Sequence, residues 1–188
     1  MKRGTKRRLA WSVALVFGLS LGLAAMALAA GEKIVVEAEA ANKVVKKMEV
    51  LADPACSGGK CVWAPVNRPH GVGAEYKVEG YCEYKIKVST AGAYKFWGYV
   101  AALDACGNSF GVQVDDNDPV KFEWAVGQQK YQWGWRDIKQ LFQLSAGVHT
   151  VKILMSEDGP KMDQWMLWND TRRVPVKLMP ATLEFLVK

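Results

Sequence analysis

The chain has 188 residues, with 25 Lys and Arg against 19 Asp and Glu. Five of the basic residues (Lys2, Arg3, Lys6, Arg7 and Arg8) and none of the acidic ones precede Gly31, so the remainder holds 20 basic against 19 acidic residues, a net of about +1. The basic balance therefore belongs to the N-terminal segment and gives no ground for nucleic-acid binding.

That segment reads as an export signal spanning residues 1–29: a positive start, an apolar run from Leu9 to about Leu28, and small residues at Ala27-Leu28-Ala29. Its removal implies a secreted, periplasmic or cell-envelope protein with no membrane association. The run approaches the roughly 20 residues that span a bilayer, so an uncleaved anchor is the competing reading. Roughly 158 residues remain, enough for one domain with its own core. All four cysteines, Cys56, Cys61, Cys82 and Cys106, lie there. An even count in an exported chain predicts two disulfides, with three pairings open. Cys56 and Cys61 bracket a short Ser-Gly-Gly-Lys loop that closes easily, which leaves Cys82 with Cys106. The spacing fits no zinc pattern.

Ile34–Glu39 is rich in β-branched residues and reads as the first strand. Ala38–Met48 is ambiguous between helix and irregular chain. From Leu51 to Gly80 the chain is rich in Gly, Pro, Asn and Asp, predicting long loops and short edge strands; Pro54, Pro65 and Pro69 argue against a central strand. From Tyr81 order returns. Cys82, Tyr84, Ile86 and Val88 alternate with Glu83, Lys85 and Lys87, the pattern of a strand with one wet face. Ser89–Gly92 turns the chain, and Tyr94–Val100 returns as the antiparallel partner. Asn108–Asp115 and Val120–Trp124 are further strands. The Asp115–Pro119 segment between them lacks the Gly and distal Glu of a calcium loop and reads as a hairpin turn. Ala146–Ile153 and Glu157–Trp165 complete the set. Short strands with turn signals at this spacing predict an all-β protein, a β-sandwich or jelly roll of two antiparallel sheets. A tail or short added strand, 176–188, follows.

Catalysis finds little support. His70 and His149 are the only histidines, and no Ser or Cys sits in a recognisable nucleophile turn. A glycosidase-type carboxylate pair cannot be singled out among the scattered acids, so a small hydrolase or lyase is the residual enzymatic reading. Tryptophan is more informative. Trp97 and Trp165 lie inside strand patterns and read as core, whereas Trp63 and Trp133 sit in loop-like segments. An indole left uncovered offers a flat apolar partner for a sugar ring.

The strand ending in Asp115, the Gly147-Val-His-Thr150 strand and the Gly159-Pro-Lys-Met-Asp163 entry to the last strand occur in an order that resembles carbohydrate-binding modules of families six and thirty-five. The resemblance covers about Ile34 to Pro175, is sharpest from Tyr81 onward, and delimits a module of residues 30–175. It implies a non-catalytic protein whose partner is a polysaccharide or glycan. The ligand would be held by Trp63, by Trp133 with Trp135 as the neighbouring ring, and by Lys161. Where the family often has Asn, this chain has Lys161, a point charge suited to a carboxylate or sulfate. The resemblance further implies a structural calcium ion held by Glu37, Glu39 and Asp163. Residues two apart on a strand share a face, so the two glutamates can meet one cation. The alternative function is a structural or protein-interaction module of the cell envelope without sugar binding. Nothing in the sequence fixes the oligomeric state.

Overall fold

Period-2 alternation between apolar and charged residues builds two sheets and hides one face of each. The structure is a computed structural model that describes residues 31–66 and 80–188; the expected export signal, Pro69 and His70 lie outside the described residues. The described residues form eleven strands: β1 (Lys33–Glu37), β2 (Lys43–Val44), β3 (Glu49–Ala52), β4 (Lys60–Trp63), β5 (Tyr81–Val88), β6 (Gly92–Ala101), β7 (Ser109–Val114), β8 (Val120–Glu123), β9 (Gly134–Leu144), β10 (Gly147–Met155) and β11 (Lys161–Trp168). One sheet runs β3-β4-β11-β6-β9, with β1 also paired to β11; the other runs β2-β5-β10-β7-β8. All pairings are antiparallel. The all-β sandwich read from the sequence is the fold of the protein. Among the described residues no helix is long and apolar enough to cross a membrane.

Trp165 anchors the core. It meets Tyr84 edge-on with ring centroids 5.0 Å apart and stacks on Phe96 at 5.9 Å. Such pairs add roughly 0.5–1.5 kcal/mol beyond area burial. The Tyr84 hydroxyl donates to the Ala38 carbonyl at 2.6 Å, so burying it leaves no unpaired donor. Gly98 is required where the sheets approach: a Cβ there would lie 2.6 Å from Phe122 Cε1.

Several local expectations need correction. The first strand ends at Glu37, and Ala38–Ala40 is a turn of 3-10 helix. The ambiguous Ala38–Met48 stretch holds that turn and β2. Strand β9 did not stand out because it is an edge strand: Lys139, Gln140, Leu141 and Gln143 are exposed, and a bulge opposite Lys95–Trp97 interrupts its register.

The C-terminal segment fastens both sheets. Thr182 caps the open edge of β1: its Oγ1 accepts from Val35 N at 2.7 Å, and its backbone N donates to Val35 O at 2.9 Å. Gln164 and Met179 exchange two bonds, and Trp135 Nε1 donates to Lys177 O at 3.0 Å. Leu186 then bridges Ile86, and Val187 N donates to Lys85 O in the other sheet. Met179 packs against a second cluster, Val35, Trp97 and Met166, with Trp135 and Trp168 at its margin. Trp97 is thus buried, but apart from the main core. Deleting 176–188 should lower stability in urea by about 2–4 kcal/mol, from lost hydrogen bonds and re-exposed apolar surface. Red-shifted tryptophan emission should accompany the loss; an unchanged unfolding midpoint would contradict this account of the tail.

His149 is structural. Its Nδ1 lies 2.7 Å from Asp115 Oδ2 and its Nε2 lies 2.9 Å from Ser145 O. Both partners are acceptors, so the arrangement is satisfied only when both ring nitrogens carry protons. Burial works against the charged ring, but the Asp115 hydrogen bond, the Ser145 carbonyl and the Asp115 charge outweigh it and raise the pKa above the ordinary histidine value. A raised folded pKa means this contribution is whole below the unfolded value, about 6.5, and is lost as pH rises through the folded one. Asp115 is 41% exposed, so the effect should stay below about 1 kcal/mol. The melting temperature should therefore fall slightly on raising the pH from 6 to about 8, and His149→Gln should flatten that slope relative to the parent.

Candidate functional site

Strand β11 is paired along one edge with β1 at Trp168–Gln164 and with β4 at Met162–Lys161, and its register on β6 slips between Met162 and Gln164. Asp163 occupies that slip. A bulge of this kind re-aims a side chain out of strict alternation, and here it delivers a carboxylate with no exposed surface. Glu37 arrives from the end of β1 and Glu39 from the following 3-10 turn, so the two glutamates converge through a turn and not, as the sequence suggested, along one strand face. Carboxylate oxygens of Glu37, Glu39 and Asp163 lie within 4.8 Å of one another.

Ser57 supplies the neutral donors. Its backbone N lies 3.0 Å from both Asp163 oxygens, and its Oγ lies 2.8 Å from Asp163 Oδ1 and 2.7 Å from Glu37 Oε2. Gln164 Nε2 donates to Glu37 Oε1 at 2.7 Å. Glu39 Oε2 is buried with no hydrogen-bond partner among the described residues. Burial raises the carboxyl pKa of Glu39, with the charges of Glu37 and Asp163 adding to it; burial likewise raises that of Asp163 against the pull of the Ser57 bonds. Gly58, at φ +63°, closes one side, and a Cβ there would stand 3.1 Å from Glu39 Oε1. Converging oxygens, mutual repulsion and an orphaned buried acceptor fit a hard divalent cation better than an empty acidic cluster.

Beside the cage, Trp63 of β4 pairs with Lys161 of β11, and Lys161 with Ala101 of β6. Val100 pairs with Gly134 of β9, which puts Trp133 next in line beyond Ala101. Trp63, Lys161, Ala101 and Trp133 thus form one row across four strands, spanning about 14 Å at the usual strand spacing. Trp63 and Trp133 are half-buried, with the small Ala101 between Lys161 and Trp133. Among the described residues, Trp63 Nε1 is buried without an acceptor. Trp133 stacks on Tyr99 at 5.6 Å and 13° between planes. Trp135 leans on the same ring at 5.4 Å, but its indole N–H is spent on Lys177 O, which ties it to the tail.

Lys161 is not a free charge. Its Nζ lies 2.7 Å from Asp53 Oδ2, with side chains 14% and 17% exposed, and 4.4 Å from the Tyr131 ring centroid. Its ammonium holds the Asp53 carboxyl below the usual carboxylate range. Tyr131 takes a left-handed φ of +51°, pinned by its N–H to Ala102 O at 2.8 Å. Sequence reasoning missed Asp53, Ser57, Tyr99 and Tyr131. Asp53 and Ser57 sit in a stretch read as loop, and their partners on β11, Lys161 and Asp163, are more than a hundred residues away, so no local pattern marks them.

No disulfide joins the four cysteines in this structure. Cys56 and Cys61 come together with Asp53, with ligand atoms within 4.8 Å. Burial pushes the Cys61 thiol up to about 11 and Cys56 higher still. The expected partnership of Cys82 with Cys106 is not made. Cys82 points into the core from β5 and is separated by β10 from β7, whereas Cys106 is exposed in the loop before β7. Two strand spacings already exceed the roughly 7 Å Cα limit for a bridge.

No protein-family model matches the chain, and no curated protein matches it. Solved structures do match. The exo-β-1,3-galactanase of Phanerochaete chrysosporium, solved with galactose, superposes with a TM-score of 0.57 and 16% identity over 72% of this chain and 29% of that one. A family 35 carbohydrate-binding module from Clostridium thermocellum gives 0.56 and 19% identity over 71% of this chain and 97% of the module. The C-terminal family 6 module of a Zobellia galactanivorans laminarinase gives 0.52 and 17% over 73% and 99%. The chain therefore spans less than a third of the galactanase but nearly all of the two isolated modules. Its fold is that of family 6 and family 35 carbohydrate-binding modules.

Proposed function

We propose that the protein is an exported, non-catalytic glycan-binding module whose ligand lies along the Trp63–Lys161–Ala101–Trp133 row. The row itself carries the reading: two half-buried indoles flank a small residue and a polar pair, on a fold shared with sugar-binding modules. Stacking on flat rings with little entropy to lose supplies the contact, and Lys161 with Asp53 orients hydroxyls. Because Asp53 compensates the Lys161 charge, the pair offers donors and acceptors together, which suits an uncharged sugar better than the carboxylate or sulfate that a lone lysine would favour. Affinity electrophoresis through neutral and acidic polysaccharides tests this. Retardation by a neutral polysaccharide should fall at least about tenfold in Trp133→Ala, the loss expected for a central aromatic anchor. Trp135→Phe should retain binding. Failure of every glycan to retard the parent would instead favour a structural or protein-interaction role in the cell envelope.

We further propose that Glu37, Glu39 and Asp163 hold a structural calcium ion. A bound cation would satisfy the orphaned Glu39 oxygen and relieve the repulsion among the three acids. The sign of the pH effect follows from the raised pKa values of Glu39 and Asp163. Without the ion the folded state binds more protons than the unfolded one above the ordinary carboxylate range, so stability falls as pH rises through the folded values. Chelator-treated protein should accordingly melt higher at pH 5 than at about pH 7. Added calcium should raise the melting temperature at neutral pH and remove the carboxylates' part of that slope. Asp163→Asn should abolish the calcium response; a parent protein whose melting is indifferent to both chelator and calcium would rule the site out.

A further inference from the structure

The connection 53–59 between β3 and β4 serves both clusters at once. Asp53 at its start receives Lys161, and Ser57 in its middle reaches Asp163 and Glu37. Yet among the described residues its other hydrogen bonds lie within the connection itself. Asp53 N donates to Gly59 O, Cys56 N to Asp53 O, Gly59 N to Cys56 O, and Ala55 N to Asp53 Oδ1. Two of its glycines, Gly58 and Gly59, take positive φ, a conformation whose unfolded alternatives are numerous. Such a loop needs a constraint if it is to present Ser57 and Asp53 in fixed positions.

The constraint is within reach. Cys56 lies inside the connection and Cys61 lies in β4, paired with Leu51 of β3. Their sulfurs stand within 4.8 Å of one another and both side chains are buried, a gap of the size that side-chain rotation about χ1 spans. We propose that Cys56 and Cys61 form a disulfide clasp that fixes the 53–59 connection and so holds Ser57 on the carboxylate cage and Asp53 on Lys161. Each thiol gives up one proton, the two sulfurs together give up two electrons, and an S–S bond forms. A disulfide oxidant of the exchange type, protein-borne or glutathione disulfide, accepts them and leaves as two thiols. The Asp53 carboxylate is already taken by Lys161 and Ala55 N, so the same three groups make a poor site for a thiophilic metal.

The bond itself stands apart from the glycan reading; its effect on the cage rests on the calcium proposal. The test uses the mature protein exported to an oxidising medium and purified without reductant. Intact mass after denaturation should show the loss of two hydrogens, with Cys82 and Cys106 alkylated and a peptide bridged between Cys56 and Cys61. Four alkylated thiols, a bridge involving Cys82 or Cys106, or thiol protection that tracks bound zinc without the mass loss would each overturn it. Reduction should lower the melting temperature by about 5 °C, as expected for a short closed loop in a domain of this size. The Cys56→Ser/Cys61→Ser double variant should melt lower from the outset and ignore reductant. Calcium titrated against oxidised and reduced protein should bind several-fold more weakly to the reduced form. Equal binding would overturn the coupling and leave the bridge standing, whereas no calcium binding by either form would fail the cage reading and with it the coupling.

Discussion

A carboxylate without exposed surface, in the middle of a six-stranded sheet, governs one end of this molecule. Asp163 stands where β11 slips against β6, and a charge in that position costs several kcal/mol unless donors or a cation meet it. Ser57 meets part of the demand with its backbone N–H and its hydroxyl. That contact draws the 53–59 connection over the end of the sheet. The same connection carries Asp53 to Lys161, the next outward position on β11 but one. A single local irregularity of register therefore sets the acidic cage and the polar centre of the aromatic row side by side.

The tryptophans divide by what covers them. Trp165 is sealed between the sheets. Trp97 lies on the outer face of the six-stranded sheet and is closed over by the C-terminal segment through Met179, with Trp135 and Trp168 at the margin of that patch. Trp63 and Trp133 stand beyond the segment's reach, at the end of the sheet where β4, β11, β6 and β9 present one row. The tail thus does more than stabilise. By spending the Trp135 indole N–H and covering the apolar centre of the face, it leaves Trp63 and Trp133 half-buried at the corner that also holds Lys161 and Asp53.

What was legible in the sequence follows from what is local. Strands β5 and β10 show themselves because each hides one face, and period-2 alternation is a property of consecutive residues; β11 is buried on both faces and is marked instead by its apolar run. Strand β9 does not show itself, because an edge position tolerates polar residues on both faces and its bulge breaks the period. The three acids of the cage and the row from Trp63 to Trp133 could be named only through a family resemblance, since they come from strands distant in the chain. The Lys161–Asp53 pair illustrates the limit. Lysine at that position suggests an anionic ligand when read alone, and the partner that cancels its charge lies 108 residues away. The Cys82–Cys106 pairing failed for a related reason: elimination among four cysteines ignores that alternation in β5 had already aimed Cys82 at the core.

The pairing of a neutralised lysine with a buried acidic cage also bears on how such a corner discriminates. If the cage carried its full negative charge uncompensated, it would repel any anionic sugar approaching Lys161, which Asp53 has already neutralised. With a divalent cation in place the cage's net charge falls toward that of a single carboxylate, and the corner as a whole becomes weakly charged. On the proposed glycan reading, selectivity would rest on shape and on hydroxyl geometry: the Trp63–Trp133 row, about 14 Å long at the usual strand spacing, would set the length of ligand, and the Lys161–Asp53 pair within it would set which face of a sugar ring is read. A site of this kind is kept specific by rigidity and not by charge. On that reading the order of the 53–59 connection would matter to the ligand row as much as to the cage.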